Sequence, residues 1–195
     1  FIYFFNELID KYYYFVLITY FISLVFFYSG SLPGSPIPSI ASGFFFGFYV
    51  GFLVNIFSIL LGSFIFVFIA KFLFSKLFEK YFVIFSKKIN SLLKDSSFEY
   101  LVLLRLILGN PLFVQNLCLS FTNISKTKFF ASSFIGLSPL MLLFTYTGSK
   151  ISNLIYIEDF SLSDILSLHY ILLLIALVLF LVLTIILKKI YFKNK

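Results

Sequence analysis

The chain has 195 residues, of which 61% are hydrophobic and only 12% charged, with a formal net charge of +7. A soluble domain carries about 25% charged and about 45–50% apolar residues, so the surplus of Phe, Leu and Ile excludes a water-soluble fold and must face lipid. The positive balance does not signal nucleic acid, because the basic residues flank apolar stretches instead of forming one stripe, and no recognition motif is present.

The sequence opens on Phe1 and its one Met is Met141, so the true start is expected upstream. Residues 1–29 read as an N-terminal transmembrane helix. No Asp, Glu, Lys or Arg occurs from Tyr12 to Ala70, and Tyr12–Tyr28 lacks the basic flank and small-residue cleavage site of a signal peptide. Then comes Gly30-Ser31-Leu32-Pro33-Gly34-Ser35-Pro36-Ile37-Pro38, followed by Gly43, Gly47 and Gly51. Pro removes an amide donor and Gly costs backbone entropy, so helix is interrupted here without any charge to mark an exposed loop. The 42 residues from Ser29 to Ala70 would make ~63 Å of helix, about twice what one crossing needs. A dip entering from outside at 30–50 and an inward span at 51–70 use that length. Asn55 in this span either faces a cavity or bonds a neighbouring helix.

Residues 71–99 carry a net +3, and Lys76, Lys80, Lys87 and Lys94 recur at helical spacing opposite Leu77, Phe78, Tyr81, Phe82, Phe85 and Leu92. This suits a cytoplasmic amphipathic helix on anionic headgroups, with a solvated connector as the plainer reading. The next stretch holds Arg105, Gly109, Asn110, Pro111, Gln115 and Asn116. Arg alone costs ~2.5–3.5 kcal/mol at a helix centre, so this is a poor span. Its far flank, 121–128, is again basic through Lys126 and Lys128. Basic loops stay cytoplasmic, so 100–122 is read as a dip that enters from inside and returns. Residues 129–147 then cross outward to an acidic external loop at 151–168. A last span within 169–195 leaves the basic tail inside, which places both termini in the cytoplasm.

The fold class expected is therefore an all-α integral membrane protein with about four transmembrane helices and two opposed re-entrant helical segments in an inverted repeat. Short Gly/Pro-interrupted apolar segments at matching places in two halves point to a transport site. Arg105 is the one Arg in a chain that otherwise uses Lys. Its guanidinium stays charged when desolvated and suits phosphate; the plainer alternative is that it snorkels or caps freed carbonyls. Asn116 and Gln115 either line the same cavity or satisfy backbone groups freed by Pro111. Pro33, Gly34, Gly43, Gly47, Gly51, Pro111, Gly136 and Pro139 are read as the geometry of the dips and of close helix packing.

In residue order the sequence resembles a known family. Leu32-Pro33-Gly34-Ser35, Gly43-Phe44-Phe45-Phe46-Gly47, Gly51, Gly62 and Ala70-Lys71 look like the first half of the VTT domain. Arg105, Pro111, Phe113, Asn116, Thr122, Phe129, Gly136, Pro139 and Gly148 look like its second half. The VTT domain defines the DedA superfamily, also called SNARE-associated Golgi proteins; the match covers roughly residues 30–150 and is most similar to the Tvp/TMEM-type subgroup. The resemblance implies opposed re-entrant segments and the movement of phospholipid or polyprenyl-phosphate-type lipid between leaflets. Three positions depart from the pattern: Lys71 for a usual Arg, Leu108 for a frequent Pro, and Ser120 for a Gly. Bacterial members also carry acidic residues in the first re-entrant motif, which Tyr12–Ala70 lacks.

A lipid transporter or scramblase is thus the expected function, with a non-transporting membrane scaffold as the alternative. Membrane lipids bearing phosphate headgroups are the expected partners, and the sequence is compatible with a homo-oligomer. Cys118 alone makes no disulfide or cysteine metal site, and His169 reads as an interfacial residue. Without a nucleophile elbow, P-loop or dinucleotide fingerprint, no enzyme activity, metal or cofactor is expected. The AT-rich bias toward Phe, Ile and Lys suggests a bacterial plasma membrane.

Overall fold

A computed structural model describes residues 2–32, 34–77, 98–106 and 111–155, and a few positions between 83 and 91. Pro33, most of the 71–99 linker, the 151–168 loop beyond residue 155, His169 and the expected last span lie outside the described residues. All described elements are helical: α1 Ile2–Ser29, α2 Pro36–Leu77, α3 Phe98–Leu106, α4 Leu112–Ser120 and α5 Lys126–Ile155. Three helices are long and apolar enough to cross a membrane, within Lys11–Ser29, Pro36–Leu77 and Lys126–Ile151. Large apolar side chains such as Phe15, Phe26, Tyr49 and Phe68 stand exposed on them, as lipid-facing residues would.

α2 is not one straight rod. Gly47 sits at φ 75°, ψ 176°, a backbone conformation open in practice to Gly alone, and the chain reverses there. Asn55 Nδ2 lies 3.1 Å from the carbonyl oxygen of Ser39. In a continuous helix these two residues would be about 24 Å apart. The reversal brings the short limb, 36–46, against the long limb, 48–77. Gly51 makes the contact close, since a Cβ there would meet the Ser42 carbonyl oxygen at 2.7 Å.

α1 packs on both limbs. Its Tyr20 hydroxyl donates to the Pro38 carbonyl at 2.6 Å, and the Tyr28 hydroxyl meets Ser39 Oγ at 3.1 Å. At the Gly47 end, Tyr13 and Tyr20 ring-pack with Phe46. Against the long limb the order runs the same way: Ser58 Oγ reaches the Phe21 carbonyl, and Gly62 packs on Tyr28 and Val25. α1 is therefore parallel to the long limb and ends beside its middle. The sequence reading expects a full crossing at 1–29 followed by a dip at 30–50; the structure pairs α1 with the short limb as two arms of a helical hairpin, its turn at 30–35 and its returning arm at 36–46.

α5 runs antiparallel to the long limb, with Thr145 beside Asn55 and Phe129 and Phe130 beside Phe64. Leu24, Tyr28, Val54, Ile56, Ile59, Leu60, Leu137 and Met141 form the core between α1, α2 and α5. Gly43 and Gly148 let the short limb and α5 touch backbone to backbone: a Cβ on either would lie about 2 Å from the other helix's carbonyl oxygen. Small residues at such crossings allow the dispersion contacts that hold helices together in lipid. Pro139 lies inside α5 and turns no hairpin; a span interior tolerates it where neighbours compensate the lost donor.

The second half uses the same kinds of contact. α3 and α4 are joined by Arg105 Nη1 donating to Asn116 Oδ1 at 2.8 Å, eleven residues apart as Tyr28 and Ser39 are. Gly136 of α5 packs on Arg105 and Val102, as Gly62 packs on Tyr28 and Val25. At the far end from Gly47, Lys71 Nζ donates to the Thr122 carbonyl (3.1 Å) and to Asn123 Oδ1 (3.0 Å), tying α2 to the turn after α4.

Candidate functional site

Arg105 is enclosed between α3, α4 and α5 at 3% exposure. It stands in the last turn of α3, and the missing side chain at Gly136 makes room for it: a Cβ there would come within 2.3 Å of Arg105 Cβ. Its Nε donates to Ser133 Oγ at 3.1 Å. Nη1 donates to Asn116 Oδ1 at 2.8 Å and reaches Gln115 Oε1 at 3.5 Å. The guanidinium carbon lies 5.5 Å from the centre of the Phe129 ring, a cation–π distance. Nη2 is buried and has no hydrogen-bond partner among the described residues. Nor does any carboxylate among them pair with it; the described partners of the charge are dipoles and an aromatic face.

Asn116 carries the cluster toward the first half. Its Nδ2 donates to Ser31 Oγ at 3.0 Å and to Ser63 Oγ at 3.3 Å. Ser31 is the one described non-Gly residue with positive φ, at 47°. Such a conformation is uncommon away from Gly and draws attention to function. Here it puts the apex of the first hairpin in bonding contact with α4. Pro111, just before α4, offers its carbonyl to Gln115 N at 3.2 Å and itself carries no N–H that would need a partner.

Asn55 does not join this cluster. It is fully buried and lies nearer the Gly47 end, where Nδ2 contacts Ser39 O, Ser42 Oγ and Thr145 Oγ1 and binds both limbs of α2 to α5. Its Oδ1 has no partner among the described residues. The remaining candidates hold backbone geometry. Gly34 takes φ 96° in the first apex, Gly47 reverses α2, and Gly43, Gly51 and Gly136 sit at close approaches.

Sequence reasoning missed the hydroxyl partners Ser31, Ser39, Ser42, Ser63, Ser133 and Thr145, all at most 5% exposed. A signal existed in part: Ser39 stands four residues before Gly43, Ser63 beside Gly62, and Ser133 three before Gly136, so small and hydroxyl residues share the packed faces. Among the described residues no group of His, Cys, Asp and Glu has the makings of a metal site.

A family model for the VTT domain matches residues 32–150. No curated protein and no solved structure gives a significant match. The matched span holds Arg105, Asn116, all of α2, α3 and α4 and most of α5, and it covers more than half of the 195 residues. A chain with long apolar helices and this match belongs to the VTT-domain (DedA) family, membrane proteins proposed as transporters.

Proposed function

We propose that this protein moves phosphate-bearing lipids between leaflets, with Arg105 as the group that meets the phosphate. The observation that carries the reading is the buried Nη2, which has no hydrogen-bond partner among the described residues. A buried cationic donor left unmatched is costly, and intramembrane ionisable groups mark substrate paths by default. A lipid phosphate is the acceptor that a membrane supplies in quantity. The headgroup would pass beside Arg105 and Asn116 while the acyl chains stay in the bilayer.

The matching contacts of the two halves support an inverted repeat of two hairpins, the first touching the second where Ser31 of its turn meets Asn116 of α4. Basic loops mark the cytoplasmic face, so the Lys71 end is inside and the Gly47 end outside. That assignment puts the start of α1 outside, with the acidic residues Glu7 and Asp10, where the charge pattern alone suggested a cytoplasmic N-terminus. A bacterial plasma membrane and the Tvp/TMEM-type subgroup remain the readings of composition and motif. A second reading, a scaffold without transport, draws support from the enclosure of Arg105 at 3% exposure.

Labelled-lipid exchange in proteoliposomes separates the two. Transport through Arg105 predicts exchange by the wild type and little by Arg105→Ala or Arg105→Lys, all three folded to the same extent. Full exchange by Arg105→Ala would remove the guanidinium from the path. No exchange by folded wild type, with any headgroup, would favour the scaffold.

A further inference from the structure

The bonding around Arg105 also limits what kind of phosphate it accepts, an inference that rests on the transport reading above. A guanidinium has five N–H donors. Ser133 takes the one on Nε, and Asn116 and Gln115 face the two on Nη1. Among the described residues only Nη2 is left for a ligand, so the fork that would clasp two phosphate oxygens side by side is already half occupied by the protein. Charge restricts the ligand further. Arg105 is the one charged side chain buried among the described residues, and its neighbours Ser133, Asn116, Gln115 and Phe129 are neutral.

From this we infer that the site is matched to a phosphodiester, a headgroup phosphate with one negative charge, and works against phosphomonoesters. A diester neutralises the lone guanidinium. A monoester, whose second proton leaves near pH 6, carries close to two charges at pH 8, and one of them would be buried without a counter-charge. The lipid classes that the family resemblance implies therefore separate: glycerophospholipids with esterified headgroups fit, and polyprenyl monophosphates or phosphatidic acid do not.

The test uses two labelled lipids with identical acyl chains, phosphatidylmethanol and phosphatidic acid, which differ by one methyl ester and one charge. Each is followed at pH 8 in proteoliposomes of the full chain and of Arg105→Gln. Phosphatidylmethanol is expected to exchange about tenfold faster or more, because each 1.4 kcal/mol of uncompensated charge is a factor of ten, and Arg105→Gln is expected to abolish that preference. Equal exchange of both lipids, or faster phosphatidic acid, would overturn the charge match and leave transport standing. So would a preference that survives in Arg105→Gln. Exchange of neither lipid by the wild type would sink the transport reading and this inference with it.

Discussion

Replacing Asn116 with Asp tests whether Arg105 is held for its charge or for its packing. The change swaps one amide nitrogen for oxygen and sets a carboxylate where the amide oxygen now lies 2.8 Å from Nη1. With an effective dielectric of about 20, opposite charges about 4 Å apart attract by about 4 kcal/mol. Two terms oppose this gain. Desolvating the carboxylate costs several kcal/mol, and the amide donors to Ser31 and Ser63 are lost at about 0.5–1.5 kcal/mol each. Arg105 is already buried, so it adds no new desolvation. The terms nearly cancel, and the melting temperature in detergent should stay within a few degrees of wild type. Nothing cancels the effect on an incoming anion, because the new carboxylate neutralises the guanidinium. Phosphate loses the same attraction of about 4 kcal/mol, roughly a thousandfold in occupancy. The expected result is a folded protein with lipid exchange near that of Arg105→Ala. Wild-type exchange by folded Asn116→Asp would refute the reasoning, since no phosphate could then depend on that charge.

Two further predictions concern the frame around the site. Gly47→Ala should lower stability by about 1–3 kcal/mol through backbone conformation alone, because a Cβ there meets nothing within 4 Å; unfolding in detergent measures it, and an unchanged midpoint would argue against the hairpin turn. Gly136→Ala should cost a similar amount by overpacking, and should also depress exchange, because the added methyl displaces Arg105 itself. The direction of α1 predicts sidedness. In a Cys118→Ser background, Lys11→Cys should react with a membrane-impermeant maleimide from the same face as Lys150→Cys, and from the opposite face to Lys126→Cys. Labelling of residues 11 and 126 from one face would restore α1 as a full crossing.

Much of the architecture was legible because lipid imposes few options. An apolar surplus has to face hydrocarbon, Pro and Gly have to interrupt helices, and Lys-rich loops have to stay on one side. Those constraints alone placed breaks at 30–51 and near Pro111, and they singled out Arg105 and Asn116 as expensive residues in a segment that could not be a plain span. The reversal at Gly47 lay within the predicted glycine run, although the sequence did not say which of Gly43, Gly47 and Gly51 would turn the chain and which would pack.

Tertiary structure decided which residues meet. Hydropathy has no direction and reads the same for a full crossing and for the arm of a hairpin, so the position of α1 along the long limb emerged only from contacts such as Gly62 packing beside Tyr28 and Val25. The partners of the polar cluster are separated by 28 residues for Arg105 and Ser133, 53 for Asn116 and Ser63, and 85 for Asn116 and Ser31. Periodicity reaches only a turn or two along a helix, so it cannot announce such pairs. Asn55 shows the same limit from the other side. By type and setting it matched Asn116, yet packing put it in a separate cluster toward Gly47. The sequence by itself determined a lipid-embedded helical protein with a single costly guanidinium. Long-range packing determined that among the described residues this guanidinium keeps one nitrogen unpaired, because the hydroxyl and amide groups that reach its other nitrogens come from helices brought together only by the fold.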